Sequence, residues 1–314
     1  LSAVPESSAR AGRGPHPLLS VLACPACRKQ LLRDRDALRC QCGQRYPIAR
    51  GVPRFVPDDG YVGSFSFEWN THNRTQLDSA RGDSMSRDTL REKTGLDASQ
   101  LRGKLVLDAG TGTGRFSEVM ADMGARVVGV DLSLAVEAAH GNLSHRDDVL
   151  IAQADIGKLP FAPETFDVIV SIGVLHHTPD TRRHFEALVP LLKPGGTIAI
   201  WVYPDEGDYR IRNHWIPWTN KIPARLFYEW CRWFVPFVGR RKGSRIQSLA
   251  ARLFPYSQQS YGIENDILDV FDGYSPRYHG IHSPEEVIGW FGAAGLVDVH
   301  EAGPVHTSVR GRKP

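Results

Sequence analysis

Four cysteines and three aspartates carry the residue types and spacings that could do chemistry in this sequence. Cys24-Pro25-Ala26-Cys27 and Cys40-Gln41-Cys42 are two close thiol pairs separated by twelve residues. Four thiolates in two such pairs are what a structural tetrahedral zinc site needs. A segment of about forty residues can hardly build its own core, so a metal staple is expected there. Asp108 precedes the glycine loop Gly110-Thr111-Gly112-Thr113-Gly114, and Asp131 and Asp155 follow downstream. Glycines let the backbone approach a ligand closely. A carboxylate at the end of a second strand can bind a ribose diol, and one at the end of a third can accept from an adenine amino group. His176 and His177 follow a fourth apolar run and are candidate general bases, since an imidazole titrates near neutrality. Tyr203, Tyr209, Tyr278, His279 and His282 are further candidates, each more often a packing or surface residue.

The elements that must hold these groups are legible as alternation. Apolar runs at 104–108, 126–131, 150–155, 166–171 and 197–202 read as strands. They are interleaved with helical spacing such as Phe116, Val119, Met120 and Met123, the mark of parallel βαβ units. This predicts an α/β, Rossmann-like sheet with both the glycine loop and the acids at the carboxyl ends of its strands. The Leu191-Leu192-Lys193-Pro194-Gly195-Gly196 run reads as a helix stop and turn. Ser283-Pro284-Glu285-Glu286 reads as a capping box opening a helix over 285–294, followed by a sixth strand over 296–300. A glycine-rich turn alone would equally suit a dinucleotide-binding domain.

The combination of DAGTGTG, Asp131, Asp155, the FD-initiated fourth strand and Gly173-Val174-Leu175-His176-His177 resembles the UbiE-like class I S-adenosylmethionine (SAM) methyltransferases over about residues 100–203. The resemblance implies that the glycine loop holds the amino-acid part of SAM, the second-strand acid the ribose and the third-strand acid the adenine. On that basis Asp108, Gly110, Thr111, Gly112, Asp131, Leu132, Asp155, Ile156 and Gly173 form the expected cofactor set. Thr111 stands where the family often has Cys. Phe67 and Trp69, in an aromatic segment before the core, are expected to close over the cofactor. His176, His177, Tyr278 and His279 are the expected catalytic candidates, and Tyr274, Arg277, Tyr278 and His279 the expected substrate contacts near the mouth of the site.

CPAC, CQC, YPI and GVP over residues 20–57 resemble the zinc ribbons of the small activator subunits of tRNA and protein methyltransferases, with CxC as the one departure. The implied organisation is a disordered leader (1–17), a zinc ribbon (18–60), an N-terminal helical lid (61–100), a SAM-binding core (101–203), a mostly helical cap insertion (204–280) and a closing helix and strands (281–314). The ribbon has eight Lys or Arg against two Asp over residues 18–57. RNA binding, and hence tRNA or rRNA methylation, is therefore one reading, and a solvated surface on a structural module the favoured one. A non-catalytic SAM-binding scaffold is a third. The aromatic-rich stretch at 225–238 has three readings: a pocket wall, an interfacial helix, or a packing or homo-oligomer surface. Cys231, beside its tryptophans, reads as a buried small apolar residue.

A net charge of +3 is too mild to argue for nucleic acid by itself. No apolar run approaches the roughly 18 residues of a membrane span. The expected protein is cytoplasmic and methylates a small, partly apolar biosynthetic intermediate on oxygen or carbon.

Overall fold

The apolar runs pair into one sheet in the computed structural model, which describes residues 15–57, 74, 76–240, 244–254 and 262–314. An N-terminal module contributes strands β1 (Leu32–Asp34), β2 (Ala37–Arg39), β3 (Arg45–Ala49) and β4 (Val52–Pro53), an antiparallel meander. Three helices follow: α1 (Asp78–Arg81), α2 (Met85–Thr94) and α3 (Ala98–Leu101). The central region alternates β5 (Leu105–Ala109), α4 (Arg115–Asp122), β6 (Arg126–Asp131), α5 (Ala135–Leu143), β7 (Val149–Gln153), β8 (Phe166–Ile172), α6 (Thr181–Leu188) and β9 (Leu192–Trp201). Helices α7 (Gly207–Thr219), α8 (Ala224–Gly239), α9 (Arg245–Leu253) and α10 (Ile263–Tyr274) form a cap. Helix α11 (Pro284–Ala293), β10 (Val297–Glu301) and β11 (Ser308–Arg312) return to the sheet. Phe67, Trp69, the leader up to residue 14 and most of the segment before α1 lie outside the described residues.

Seven strands run in the order β10-β11-β9-β8-β5-β6-β7. All pairs from β9 to β7 are parallel, and β11 and β10 add antiparallel. The architecture is thus the expected Rossmann-like α/β sheet. Strands β5 and β7 are buried at every position, as strands covered on both faces must be. Alternate residues serve opposite layers, as the strand period of two requires. Leu107, Val128 and Leu150 pack with Phe185, Leu188 and Phe291 on one side, while Val106, Val127 and Ile151 pack with Leu90, Val119 and Met120 on the other.

Two sequence expectations need correction. The KPGG turn does not separate a helix from a strand but lies within β9. Register slips between the Phe166–Leu192 and Val168–Thr197 pairs, and the intervening residues bulge out. Gly195 N–H donates to the Lys313 carbonyl and Lys313 N–H to that of Gly196, both at 2.9 Å, so the glycines extend the ladder to β11. Ser283 does cap α11, accepting from Glu286 N–H at 3.2 Å. Glu286, however, turns its carboxylate to His282 Nδ1 at 3.1 Å, so the reciprocal half of the capping box is not made.

The N-terminal module is docked on the sheet rather than tethered to it. Leu18, Leu22, Leu31 and Leu38 share one core with Leu159, Phe161 and Leu188. Arg28 donates to the carbonyls of Leu159 and Phe161 at 2.7 and 2.8 Å. Arg54, 8% exposed, bridges in parallel to Gln153 of β7, donates to the Gln153 amide oxygen at 2.9 Å and pairs with Glu137 of α5 at 2.8 Å. The module therefore covers the outer edge of β7. No helix among the described residues is long and apolar enough to cross a membrane.

Candidate active site

A cavity opens at the carboxyl ends of β5, β6, β7 and β8, where the strands deliver the glycine loop and the acids. The loop can pass only as glycine at its first turn. Gly110 has φ of +92°, and a Cβ there would lie 2.2 Å from a Val174 methyl. Non-glycine residues rarely adopt that backbone, and no side chain fits the space. Gly112 and Gly114 also have positive φ. Thr111 N–H and Gly110 N–H both donate to the Val130 carbonyl, at 2.9 and 2.8 Å, which ties the loop to β6.

Gly110, Thr111, Gly112, Asp131, Leu132, Asp155, Ile156 and Gly173 all line the cavity. Asp131 ends β6 and accepts from Gly112 N–H at 2.9 Å on one oxygen. Its other oxygen accepts from Ser133 N–H at 2.8 Å and Oγ–H at 2.7 Å. Burial pushes its carboxyl upward from the ordinary value, with the Ser133 and Gly112 bonds opposing. Asp155 accepts from Gly157 N–H at 2.8 Å and lies 3.8 Å from His184 Nε2. Asp108 is the exception among the acids. It is 1% exposed, does not line the cavity and accepts from Ser117 Oγ–H at 2.7 Å. Burial pushes it up to about 6 against the Ser117 and Thr111 hydrogen bonds. Its hydrogen bonds run to Thr111 of the loop and Ser117 of α4.

Three of the four catalytic candidates, His176, His177 and His279, are brought into one aromatic cluster with Tyr203, Tyr278 meets it through its carbonyl, and only His177 reaches the cavity. His177 lines it, and its Nδ1–H donates to the Tyr278 carbonyl at 3.0 Å. Burial lowers its pKa to about 4. His176 is fully buried and stacks on Tyr203, with ring centroids 3.7 Å apart, and neither ring nitrogen has a hydrogen-bond partner. His279 sits 4.8 Å from Tyr203 and 5.8 Å from His177, centroid to centroid, also with both nitrogens buried and unpartnered. Burial and the neighbouring imidazole bring it to about 3. His176, His279 and Tyr278 are absent from the cavity wall, whereas Tyr203, on which His176 stacks, lines it. Tyr274, expected near the mouth, is fully buried, and its carbonyl accepts from Thr219 Oγ–H at 2.6 Å. Arg277 is exposed and lies 5.6 Å from the ring of Tyr278.

Among the cavity walls that sequence reading missed are Lys93 on α2, Trp201 at the end of β9 and Asp272 on α10. The Lys93 ammonium sits 2.9 Å from the centre of the Trp201 ring, and burial holds its pKa well below the ordinary value. Asp272 has a buried oxygen with no hydrogen-bond partner. Burial, with Asp269 nearby, pushes it up to about 7. A signal for Asp272 was present: it lies four residues after Leu268, on the face of α10 that also buries Ile267 and Phe271. An acid at a core position of an amphipathic helix is a functional-site marker. Lys93 carried no such signal, because its partner ring is more than a hundred residues away.

The four cysteines converge as their spacing required. Their sulfurs all lie within 4.8 Å of one another, with Cys27–Cys40 at 3.3 Å and Cys24–Cys42 at 3.7 Å. Two tight turns present them: Arg28 N–H closes on the Cys24 carbonyl at 2.8 Å, and Gly43 N–H on that of Cys40 at 3.0 Å. Cys231 is buried in the cap core, as expected.

Comparison with known proteins bears on the central region. A ubiquinone biosynthesis O-methyltransferase of Idiomarina loihiensis is 43% identical over 103 residues, which is 31% of this chain and 42% of that protein. One from Paraburkholderia phymatum is 40% identical over 111 residues, 33% of this chain and 45% of the relative. The match thus spans less than half the length of either relative. Among solved structures, a SAM-dependent methyltransferase from Mesorhizobium loti is 29% identical, covering 32% of this chain and 47% of its own, with a TM-score of 0.30. Residues 107–200, from the middle of β5 to the end of β9, match the family described as methyltransferase domain, and that is what this part of the chain carries.

Proposed function

We propose that the chain binds SAM in this cavity and methylates a small, partly apolar biosynthetic intermediate at oxygen or carbon. The observation that carries the reading is the convergence of Gly110, Gly112, Asp131 and Asp155 at the ends of adjacent parallel strands, lining one cavity. The site fits SAM residue by residue. The loop backbone of Gly110 and Gly112 suits the amino-acid part, Asp131 the ribose diol, and Asp155 the adenine amino group. Leu132 and Ile156 flank that end with apolar surface. When bound, SAM supplies a methyl group on a sulfonium, an electrophile that needs alignment and dryness more than activation.

The chain's own residues supply both. Trp201, Tyr203 and Val174 close the acceptor end with apolar surface, which excludes water. Asp272 is the group assigned to take a proton from an acceptor hydroxyl. It lines that end with one oxygen unpartnered, and a base poised near neutrality is the effective kind. His177 is the second wall group able to hold a proton. Lys93 over Trp201 orients the acceptor as a polar contact on an otherwise aromatic wall.

The cysteine cluster is assigned structural zinc. Tetrahedral zinc–thiolate bonds of about 2.3 Å separate sulfurs by about 3.8 Å, close to the observed pairs. The arginines of this module favour a structural role over RNA binding. Arg28 and Arg54 hold the sheet, and Arg50 pairs with Glu137. Arg39 and Arg45 pair with Asp34 and Asp36.

Native mass spectrometry with and without S-adenosylhomocysteine tests both assignments. One nucleoside and one zinc per chain are expected. A chain that takes up neither would end the reading, and zinc without nucleoside would leave a scaffold.

A further inference from the structure

The cap is built on a helix that is apolar on two sides. The inner side of α8 buries Phe227, Tyr228, Cys231, Phe234, Val235 and Val238, against α10 among others. Its outer side should then be polar, yet Leu226 and Trp233 stand there 63% and 60% exposed. Seven residues apart, they fall on the same side of the helix two turns on. Trp218, at the end of α7, is 69% exposed. Of the eleven large hydrophobic residues that stand exposed among the described residues, seven fall within 211–254. Scattered exposed leucines need no explanation, but a concentration that includes two tryptophans does.

The same stretch is strongly basic. Residues 211–254 contain nine Lys or Arg and a single acid, Glu229, in a chain whose net charge is +3. The rest of the chain is therefore net acidic. Arg212 is internal and pairs with Asp269 at 2.8 Å. Lys221, Arg225 and Arg232 are exposed beside the apolar residues, and Arg225 and Arg232 repeat the seven-residue spacing of Leu226 and Trp233. The Lys221 ammonium lies 5.5 Å from the Trp218 ring, and Arg232 meets Glu229 at 3.3 Å on the surface. Tryptophan and leucine interleaved with Lys and Arg, and nearly no acid, match the boundary of an anionic bilayer. There the rings enter the headgroup level and the cations meet lipid phosphates.

We propose that the outer face of the cap, Trp218, Leu226 and Trp233 among Lys221, Arg225 and Arg232, docks on the surface of an anionic lipid bilayer. The cap's inner side packs on α10, which carries Asp272 into the cavity wall. The surface that meets the bilayer and the wall that meets the acceptor therefore belong to one helical unit, which suits an acceptor dissolved in lipid. The docking itself does not depend on the methyltransferase reading.

The test is sedimentation of the full chain with vesicles of phosphatidylcholine alone and of phosphatidylcholine containing phosphatidylglycerol, with S-adenosylhomocysteine affinity measured on the same samples. The expected result is a preference of at least about ten-fold for the anionic vesicles, weakened by salt. Trp218→Ala/Trp233→Ala is expected to lower that partitioning by about ten-fold while leaving nucleoside affinity unchanged, which shows that the variant is folded. Equal partitioning into both vesicles, or none, overturns the proposal. So does anionic binding indifferent to the double variant, which would be charge attraction alone. A dimer broken by Trp233→Glu would assign the face to a second copy, and tighter binding of single-stranded RNA than of vesicles would assign it to nucleic acid. Loss of nucleoside binding with vesicle binding intact would count against the cofactor reading only.

Discussion

His176 lies flat against Tyr203, rings 3.7 Å apart and 28° from parallel, with both imidazole nitrogens buried and unpartnered. Burial and three neighbouring histidines hold its pKa far below the ordinary value, so it is neutral throughout the physiological range. Its ring serves as an aromatic plate. His176→Phe is expected to keep the stack and remove two orphaned polar atoms, each of which costs about 1–3 kcal/mol. The melting temperature should stay level or rise by about 2–4 °C, read by scanning calorimetry, with activity retained. A fall in activity of a hundred-fold would make His176 a catalytic group after all.

Asp272 should make stability fall as pH rises. Its folded carboxyl titrates at about 7, above the unfolded value near 3.9. Between those pH values the folded state holds a proton that the unfolded chain has released. Its contribution is complete below the unfolded value and is lost as pH rises through about 7. Asp272→Asn should therefore melt higher than the parent at pH 8, by a free energy on the order of a few kcal/mol, and converge with it near pH 4. Parallel melting curves at both pH values would contradict the burial argument.

The same residue predicts a rate profile. If Asp272 removes the acceptor proton, turnover rises through pH 7 in the parent. Asp272→Asn should flatten the profile and lower kcat by about a hundred-fold or more, leaving nucleoside affinity intact. His177→Gln should then cost less.

Asp131→Ala is expected to weaken S-adenosylhomocysteine binding by about ten- to a hundred-fold, the worth of hydrogen bonds to a charged acceptor. Calorimetric titration reads it. The residue also holds Gly112 N–H, so Asp131→Asn, which keeps one acceptor oxygen, should recover part of the loss.

If the cysteine cluster holds zinc as proposed, Cys27→Ser should eject it, read as zinc content by mass spectrometry. The melting temperature should drop with it, because Leu18, Leu22 and Leu38 share a core with the sheet. An unchanged melting temperature would show the module to be energetically separate.

The sequence was legible wherever a local rule acts alone. The five parallel strands, the glycine loop and the cysteine pairs each follow from periodicity or spacing within a few residues. What escaped depends on distant partners. Lys93 meets Trp201 across the cavity, and nothing near either residue announces the other. Glu286 obeyed the capping pattern until His282, four residues before it, offered a competing donor. Proline and two glycines normally end a run, but the KPGG segment found Lys313 at the far end of the chain to complete its ladder. Asp108 shows the converse: it stands at the end of β5 as its place before the loop implied, while its hydrogen bond to Ser117, nine residues on, and its absence from the cavity lining follow from packing that no local rule gives.

The pairing of Arg54 with Gln153 has a consequence for how this chain can be divided. An uncovered strand at the margin of a sheet is a template for other strands, and proteins guard such margins. Here the guard on β7 is the segment leaving β4 and its arginine. Cutting the chain just after this module would leave Gln153 and Glu137 without their cation and bare the ladder groups of β7. The fragment carrying the methyltransferase domain would be aggregation-prone although no described residue of the module lines its cavity. The cysteine-bearing module is in that sense a built-in chaperone for the sheet's margin.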